Sequence, residues 1–324
     1  MRQLLYLRLC RLLELAALLL SLASLLGYLG RFHWFLDLSS HFRVQYSIGF
    51  TALCHCFLLR RKWKSSAALF ALALLNAGAF LPYYVSQPPA AASEPSLRIM
   101  LSNVNSDTGD PQQVLAEVAL QQPDVLIIQE VNRYWIRELS SLEETYPYLI
   151  KGPREDNFGL AVFSRFPLAE GRSLNLGSVI RPPVIQANVL SPQGPFNLVT
   201  AHPKPPIGGK RARSRNEQLE ELPSLFPEDL PVLLIGDLNC SSWNVHFRRM
   251  QRAGGLRNSQ EGFGTQPSWP VQLPSLFRIP IDHALYSEGI LVHDRRLGNP
   301  CGSDHLPVLL EISLQRAVPA VSDV

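Results

Sequence analysis

The chain has 324 residues, is 46% hydrophobic and carries a formal net charge of +3. Residues 1–86 hold nine cations and two acids, so they carry +7, and the remainder carries −4. The apolar content excludes a disordered chain, five cysteines exclude a small disulfide scaffold, and the mildly acidic body argues against a general DNA-binding protein.

Three apolar segments precede residue 87. The first runs from Leu12 to Leu29 and is broken only by Glu14. The second, Val44 to Leu59, is short for a span, whereas the third, Ser65 to Val85, holds about 20 residues without a charge. A bilayer core takes roughly 20 apolar residues as a helix, so the first and third qualify and the second needs snorkelling flanks or a thinned bilayer. The first run is long for a cleaved signal peptide, and no clear small-x-small site follows it. Cations cluster at Arg2, Arg8 and Arg11 and again in Arg60-Arg61-Lys62-Trp63-Lys64. The positive-inside rule places both on the cytoplasmic side. Three spans then carry everything after residue 86 outside the cytoplasm. Residues 87–96, rich in Pro and Ala, read as a short, stiff linker.

The body, 97–314, alternates strand and helix patterns, with a tail at 315–324. Leu97 to Val104 reads as a strand. Asp110 and Pro111 cap a helix with its apolar face at Val114, Leu115 and Val118. Asp124 to Gln129 is a buried strand ending at Glu130. A helix over 132–142 follows, then strands at 159–164, 183–190 and 196–202, the last two joined by a turn at 191–194. Ser214 and Glu217 read as a capping box opening a helix that Pro223 stops. Residues 231–236 form a buried strand ending at Asp237. A helix starts after Ser241 or Ser242, and strands at 282–286 and 308–312 close the body.

The repeated pattern is an apolar strand delivering an acidic or amide residue at its end. A single such residue is ordinarily a solvated strand terminus; several on separate strands point to one shared site. Hard oxygen ligands suit Mg²⁺ or Mn²⁺, and the cysteines and histidines lack zinc spacing.

The blocks LSNVNSD (101–107), IIQEV (127–131), TAHP (200–203), GDLN (236–239), IDHALYS (281–287) and SDHLPV (303–308) together resemble the endonuclease/exonuclease/phosphatase superfamily. Any one block is weak; six in order are specific. The resemblance covers about two thirds of the chain. It implies a four-layered α/β sandwich of two packed mixed β-sheets flanked by helices, here preceded by a membrane anchor, and metal-dependent phosphoester hydrolysis. Glu130 resembles the principal metal ligand, Asn103 a residue orienting the metal's water shell, and Asp304 a further metal or water ligand. Asp237 resembles the residue that positions or deprotonates water, and Asn239 a phosphate-oxygen donor. His305 resembles the histidine that contacts the scissile phosphate, with Asp282 as its carboxylate partner. His202 matches an acid or phosphate donor near the leaving group. Asn105 is either a turn former or a support for these groups. His283 points to the opposite face from Asp282 and reads as structural, while His33, His41, His55, His246 and His293 carry no motif.

Lys204, Lys210, Arg211, Arg213 and Arg215 follow His202 closely. They read either as a clamp for a substrate phosphate or lipid headgroup, or as a solvated loop and helix start. Arg248, Arg249 and Arg252 either extend that cluster or form an ordinary solvated face. The resemblance brings the loops of Cys240 and Cys301 to one site, where an oxidising compartment could join them as a disulfide. The chain looks like a bacterial inner-membrane branch of the superfamily, with its catalytic body extracytoplasmic. The leading expectation is a phosphoesterase acting on a lipid-linked phosphate or diphosphate. An extracytoplasmic nuclease and an inactive anchored binding protein are the alternatives. Expected partners are the bilayer and a phosphorylated substrate, with no protein partner.

Overall fold

The computed structural model describes residues 1–86 and 96–315. The linker expected at 87–96, save Ser96, and the tail beyond 315 lie outside the described residues. The N-terminal part holds α1 (Arg2–Leu26), α2 (Trp34–Ser40), α3 (Arg43–Leu59), α4 (Trp63–Ala77) and α5 (Pro82–Val85). In the body, β1 (Leu97–Asn103), α6 (Pro111–Gln121), β2 (Val125–Gln129), α7 (Arg133–Glu138), β3 (Tyr148–Gly152) and β4 (Leu160–Ser164) come first. Then follow β5 (Leu168–Asn175), β6 (Pro183–Ser191), β7 (Gly194–Ala201), α8 (Gly209–Glu221), β8 (Val232–Asp237) and α9 (Val245–Ala253). β9 (Arg257–Asn258), β10 (Asp282–Tyr286), β11 (Ile290–Leu297) and β12 (Val308–Leu314) complete it.

The strands form two six-stranded mixed sheets, ordered β11-β12-β1-β2-β4-β3 and β5-β6-β7-β8-β10-β9. Within each, one central pair is parallel, β1 with β2 and β7 with β8. Side chains alternate across each strand. Ile99, Leu101, Val125 and Ile127 of the first sheet meet Ile185, Leu198, Leu233 and Ile235 of the second in a common core. Met100, Leu126 and Ile128 face outward onto Val114 and Val118 of α6 and Trp135 of α7. Val199 and Leu234 face outward onto Leu219 of α8 and Phe247 of α9. The expected four layers result.

Several local expectations are corrected. The helix at 209–221 is already formed at Ser214, whose Oγ donates to Ile180 O, while Glu217 accepts from Ser178, so these residues tie loops instead of forming a capping box. α9 begins at Val245 because Asn244 caps it, accepting from the N–H groups of His246 and Phe247. α7 is short and continues as a 3₁₀ turn at Ser140–Glu144. Cys240 and Cys301 are free and lie in different outer layers of the sandwich, against α9 and α6 respectively, so the disulfide is absent.

Three membrane spans were expected from the apolar runs. Gln3–Leu29 is the one helical stretch among the described residues long and apolar enough to cross a membrane, a property shared by anchors and signal sequences. α3 and α4 have 17 and 15 residues, shorter than the roughly 20 of a full span. The third run is divided because α4 stops at Gly78 and Pro82 opens the separate short helix α5. α1, α3 and α4 pack through a small core of Phe50, Phe57, Leu69 and Ala73 with Leu13, Ala17 and Leu20. Leu12, Leu18, Phe70 and Leu74 remain exposed on the outside of this bundle.

The bundle is fastened to the body through α2. Asp37 Oδ2 accepts from Arg215 Nη2 at 2.5 Å and its Oδ1 from Asn244 Nδ2 at 2.6 Å. His41 Nδ1 accepts from the Ser241 N–H at 3.2 Å, and its carbonyl accepts from Trp243 Nε1. Burial holds the His41 imidazole down at about 4, so it sits there neutral. Gly30 permits this approach, since a Cβ there would lie 2.9 Å from Asp37 Cα. The Asp37–Arg215 pair is fully buried. Asp37→Ala strands the guanidinium and should cost about 3–5 kcal/mol, while Arg215→Met added to it should restore most of that loss. Chemical unfolding of the full chain in neutral detergent tests this; a double variant as unstable as the single one would refute it.

Candidate active site

The site lies at the sheet edge where β1, β2, β7 and β8 end. Gln129, the last residue of β2, is fully buried. Its Nε2 donates to Thr200 Oγ1 at 3.1 Å and to Ala201 O at 3.0 Å, on β7. Its Oε1 accepts the N–H of Asp237 at 2.8 Å, on β8. One amide thus ties both sheets together. Gly236 makes room for it, since a Cβ there would sit 2.1 Å from Ala201 O and 2.7 Å from Gln129 Nε2.

Immediately after these strands the backbone turns left-handed. Asn105, Glu130 and Asn239 have φ of 49°, 65° and 49°. Asn tolerates this region, but Glu does so at a cost of order 1 kcal/mol. The turn brings Glu130 and Asn239 to the wall of a cavity of about 640 Å³, while Asn105 turns its Nδ2 to Asp304 Oδ1. Glu130, His202, Asp237, Asn239, Asp304 and His305 all line it.

Asn103 Nδ2 donates to Glu130 Oε1 at 3.0 Å and to Asp237 Oδ2 at 3.3 Å, while its oxygen accepts the Asn105 N–H. His202 Nε2 lies 3.3 Å from Glu130 Oε1, and its ring stacks on Phe158. Burial would raise the Glu130 pKa, but the His202 and Asn103 contacts outweigh it and keep the carboxylate ionised. Burial would likewise depress His202, yet Glu130 and Asp237 raise it.

Asp237 and Asp282 are direct partners across β8 and β10. Burial and this second carboxylate together push Asp237 well above the usual range. Asp282 Oδ2 accepts from Ser268 Oγ and contacts His305 Nδ1 at 2.9 Å. His305 Nε2 then faces Asp237 Oδ2 at 3.8 Å. Burial works against protonation of His305, but Asp282 and Asp237 overcome it and lift the ring to about 10.

The donor set discriminates among roles for a divalent cation. Glu130 presents a hard carboxylate at the cavity wall beside Asp237, which fits one. Asn103 has its oxygen committed to Asn105. Asp304 Oδ1 accepts from Asn105 Nδ2 and Oδ2 from Trp269 Nε1, so both its oxygens already hold donors. Ligand-type atoms of Asp237, Asp282 and His305 lie within 4.8 Å of one another. Since Asp282 and His305 bond each other, the trio reads as a hydrogen-bond relay and not a cage.

The basic run divides. Lys204 and Arg211 line the cavity, Lys204 lying over the Phe158 ring. Lys210 and Arg213 are exposed on α8 and are absent from the cavity wall. Arg215 is buried on Asp37 and Asn239 O, which corrects its expected place in a substrate clamp. His283 is buried, contacting Cys240 O and packing on Phe247. Sequence reasoning missed Gln129, Phe158, Ser268 and Trp269. It also missed Leu38 and His41, which line the same cavity from the N-terminal part. A glutamine inside an otherwise apolar strand was the available signal for Gln129; nothing local marks Leu38 or His41.

The profile of the "Endonuclease/Exonuclease/phosphatase family" matches residues 100–305. A comparison with curated proteins finds no match. Among solved structures, an endonuclease/exonuclease/phosphatase from Beutenbergia cavernae DSM 12333 is 19% identical over 68% of this chain and 72% of its own, with a TM-score of 0.57. D. rerio TDP2 complexed with a single-strand DNA product is 18% identical over 68% and 100%, with a TM-score of 0.57. Sphingomyelinase C from Streptomyces griseocarneus is 17% identical over 67% and 99%, with a TM-score of 0.50. At these identities the likeness is one of fold.

Strain at Glu130 has a measurable consequence. Glu130→Gly should be more stable than Glu130→Ala by about 1 kcal/mol, because only glycine relieves the left-handed backbone. Thermal unfolding of the two variants measures the difference; equal stability would show the strain to be absent.

Proposed function

The chain belongs to the endonuclease/exonuclease/phosphatase family, whose members hydrolyse phosphoester bonds, and from that membership we propose a membrane-anchored, divalent-metal-dependent hydrolase of a lipid-linked phosphate or diphosphate. The observation that carries this reading is the shared cavity wall. Leu38 and His41, from the segment following the apolar helix, line the same cavity as Glu130, Asp237 and His305. Ile207, which is exposed, lines the same cavity, as do Lys204 and Arg211. A phosphate flanked by an apolar chain matches that mixture of cations and apolar wall. The exposed leucines of α1 and α4 support membrane placement of the bundle. With α1 as the crossing, Arg2, Arg8 and Arg11 favour a cytoplasmic N-terminus and hence an extracytoplasmic body.

When bound at Glu130 beside Asp237, a Mg²⁺ or Mn²⁺ ion would neutralise phosphate oxygens and polarise the leaving group. The protein's own groups divide the remaining work. Asp237, with its raised pKa, accepts a proton from the attacking water. Asn239 is held by its N–H on Asp237 Oδ1 and by its Nδ2 on Pro203 O, and it offers the second Nδ2 hydrogen to a phosphoryl oxygen. Protonated His305 donates through Nε2 to the phosphoryl group as negative charge grows there, and Asp282 fixes its ring. His202 is placed to donate near the leaving oxygen. Ser268 and Trp269 position Asp282 and Asp304.

If His305 and Asp282 act as one unit, Asp282→Asn should lower kcat by about 10³–10⁴ with little change in KM. The Asp282→Asn/His305→Ala double variant should then be no slower than His305→Ala alone. Additive losses in steady-state kinetics would refute the unit. Substrate class is tested with purified full-length protein and Mg²⁺ on a polyprenyl diphosphate, a phosphodiester lipid and plasmid DNA. Phosphate release from the diphosphate should vanish with EDTA and in Glu130→Gln. Plasmid nicking without lipid turnover would favour the nuclease, the alternative suggested by the DNA-bound structural neighbour. Absence of all turnover would favour an inactive binding protein.

A further inference from the structure

We propose that the junction between the helical bundle and the body binds the phosphate headgroup of an anionic phospholipid, at a site separate from the cleft. A second cavity, of about 290 Å³, opens there. Tyr28 in the 3₁₀ turn after α1, Arg43 on α3, and Arg248, Arg249 and Arg252 on α9 line it.

Its charges do not balance. Among the lining residues the one carboxylate is Asp37. Both Asp37 oxygens are spent, on Arg215 and on Asn244. Arg43 is held by neutral groups, the Ser24 carbonyl and Asn76 Oδ1, and lies 3.7 Å from the Tyr28 ring centre. Among the described residues, Arg248, Arg249 and Arg252 make no ion pair. Four guanidinium groups therefore share one concavity without a free counter-ion. Like charges so placed repel, and one multivalent oxyanion relieves them together. Planar guanidinium forks suit phosphate in particular.

The surroundings identify the source of the phosphate. The cavity opens at the last turn of α1, where Leu22 and Leu25 are exposed, and Leu75 of α4 is exposed near it. Tyr28 is 46% exposed, and its hydroxyl donates to Leu75 O. An amphipathic ring between an apolar helix surface and a basic cavity is the pattern of a membrane interface. A headgroup in the cavity leaves its acyl chains along the leucines of α1 and α4. Binding there would press α9 onto the membrane surface and set the direction in which the cleft opens. The proposal rests on membrane placement of the bundle and not on the identity of the substrate.

The test uses full-length protein in neutral detergent, with native mass spectrometry for affinity and thermal unfolding as a second readout. The probes are phosphatidylglycerol, phosphatidylcholine, glycerol 3-phosphate and inorganic phosphate. Phosphatidylglycerol should bind and raise Tm, and the other three should not at equal concentration. Arg248→Gln/Arg249→Gln/Arg252→Gln should weaken phosphatidylglycerol on the order of a hundredfold. Arg133→Gln/Arg137→Gln, which removes two exposed cations on α7, should change nothing. The exposed single variant Arg249→Glu guards against misfolding of the triple variant and should also weaken binding. Undiminished affinity in Arg249→Glu and the triple variant would overturn the site. Equal binding of inorganic phosphate would overturn the lipid assignment. Because hydrolysis is not the readout, failure here is distinguishable from failure of the proposed activity.

Discussion

The arrangement of this site depends on one buried amide. Gln129 uses both Nε2 hydrogens and its oxygen to connect the end of β2 with β7 and β8. A buried amide with its bonds made is stabilising, whereas one left unpaired would cost about 1–3 kcal/mol per group. The bridge therefore holds the two sheets at one separation at this edge. Glu130 follows Gln129, His202 follows Ala201, and Asp237 supplies the N–H that Gln129 accepts. Three groups at the ends of three strands are thus brought together, Glu130 and His202 by the residue before each and Asp237 by its own N–H. Gly236 belongs to the same device, since any side chain there would occupy the position of the amide.

The electrostatics follow from this geometry. Bringing Glu130, Asp237 and Asp282 to one edge concentrates negative charge in a mostly buried place. The histidines answer it: His202 lies against Glu130 and Asp237, and His305 against Asp282. Each carboxylate has a different environment, so each has a different proton affinity. Glu130 stays ionised through its donors, Asp282 through His305 and Ser268, and Asp237 alone is lifted. Divergent proton affinities among neighbouring carboxyl groups are what acid–base chemistry needs.

How much of this was legible in the sequence varies with position. Every strand recognised from its apolar run lies inside a sheet. β3, β5, β9 and β11, which were not recognised, are the four sheet edges. An edge strand such as Leu168–Asn175 is largely exposed, so the burial that writes a hydrophobic pattern is missing there. Glu130, His202, Asp237 and Asn239, which the structure brings to one cavity, were legible because they sit at or just beyond the ends of interior strands. Gln129 was not, because its importance comes from the opposite sheet. Lengths of the membrane-type helices were misread for a related reason: hydropathy does not register the stop at Gly78.

The basic run on α8 shows what only three dimensions can separate. Arg211 and Arg215 lie four residues apart, one turn of the same helix, and look equivalent as charges. Arg211 reaches the cavity, whereas Arg215 is buried on Asp37 of α2. One helix face therefore does two jobs: its first turn lines the cleft and its second fastens the N-terminal segment. The same fastening places Leu38 and His41 in the cleft wall. Removing the N-terminal part would take away a wall of the site and leave Arg215 without its carboxylate, so bundle and body behave as one structural unit around the cavity, whatever the membrane contributes.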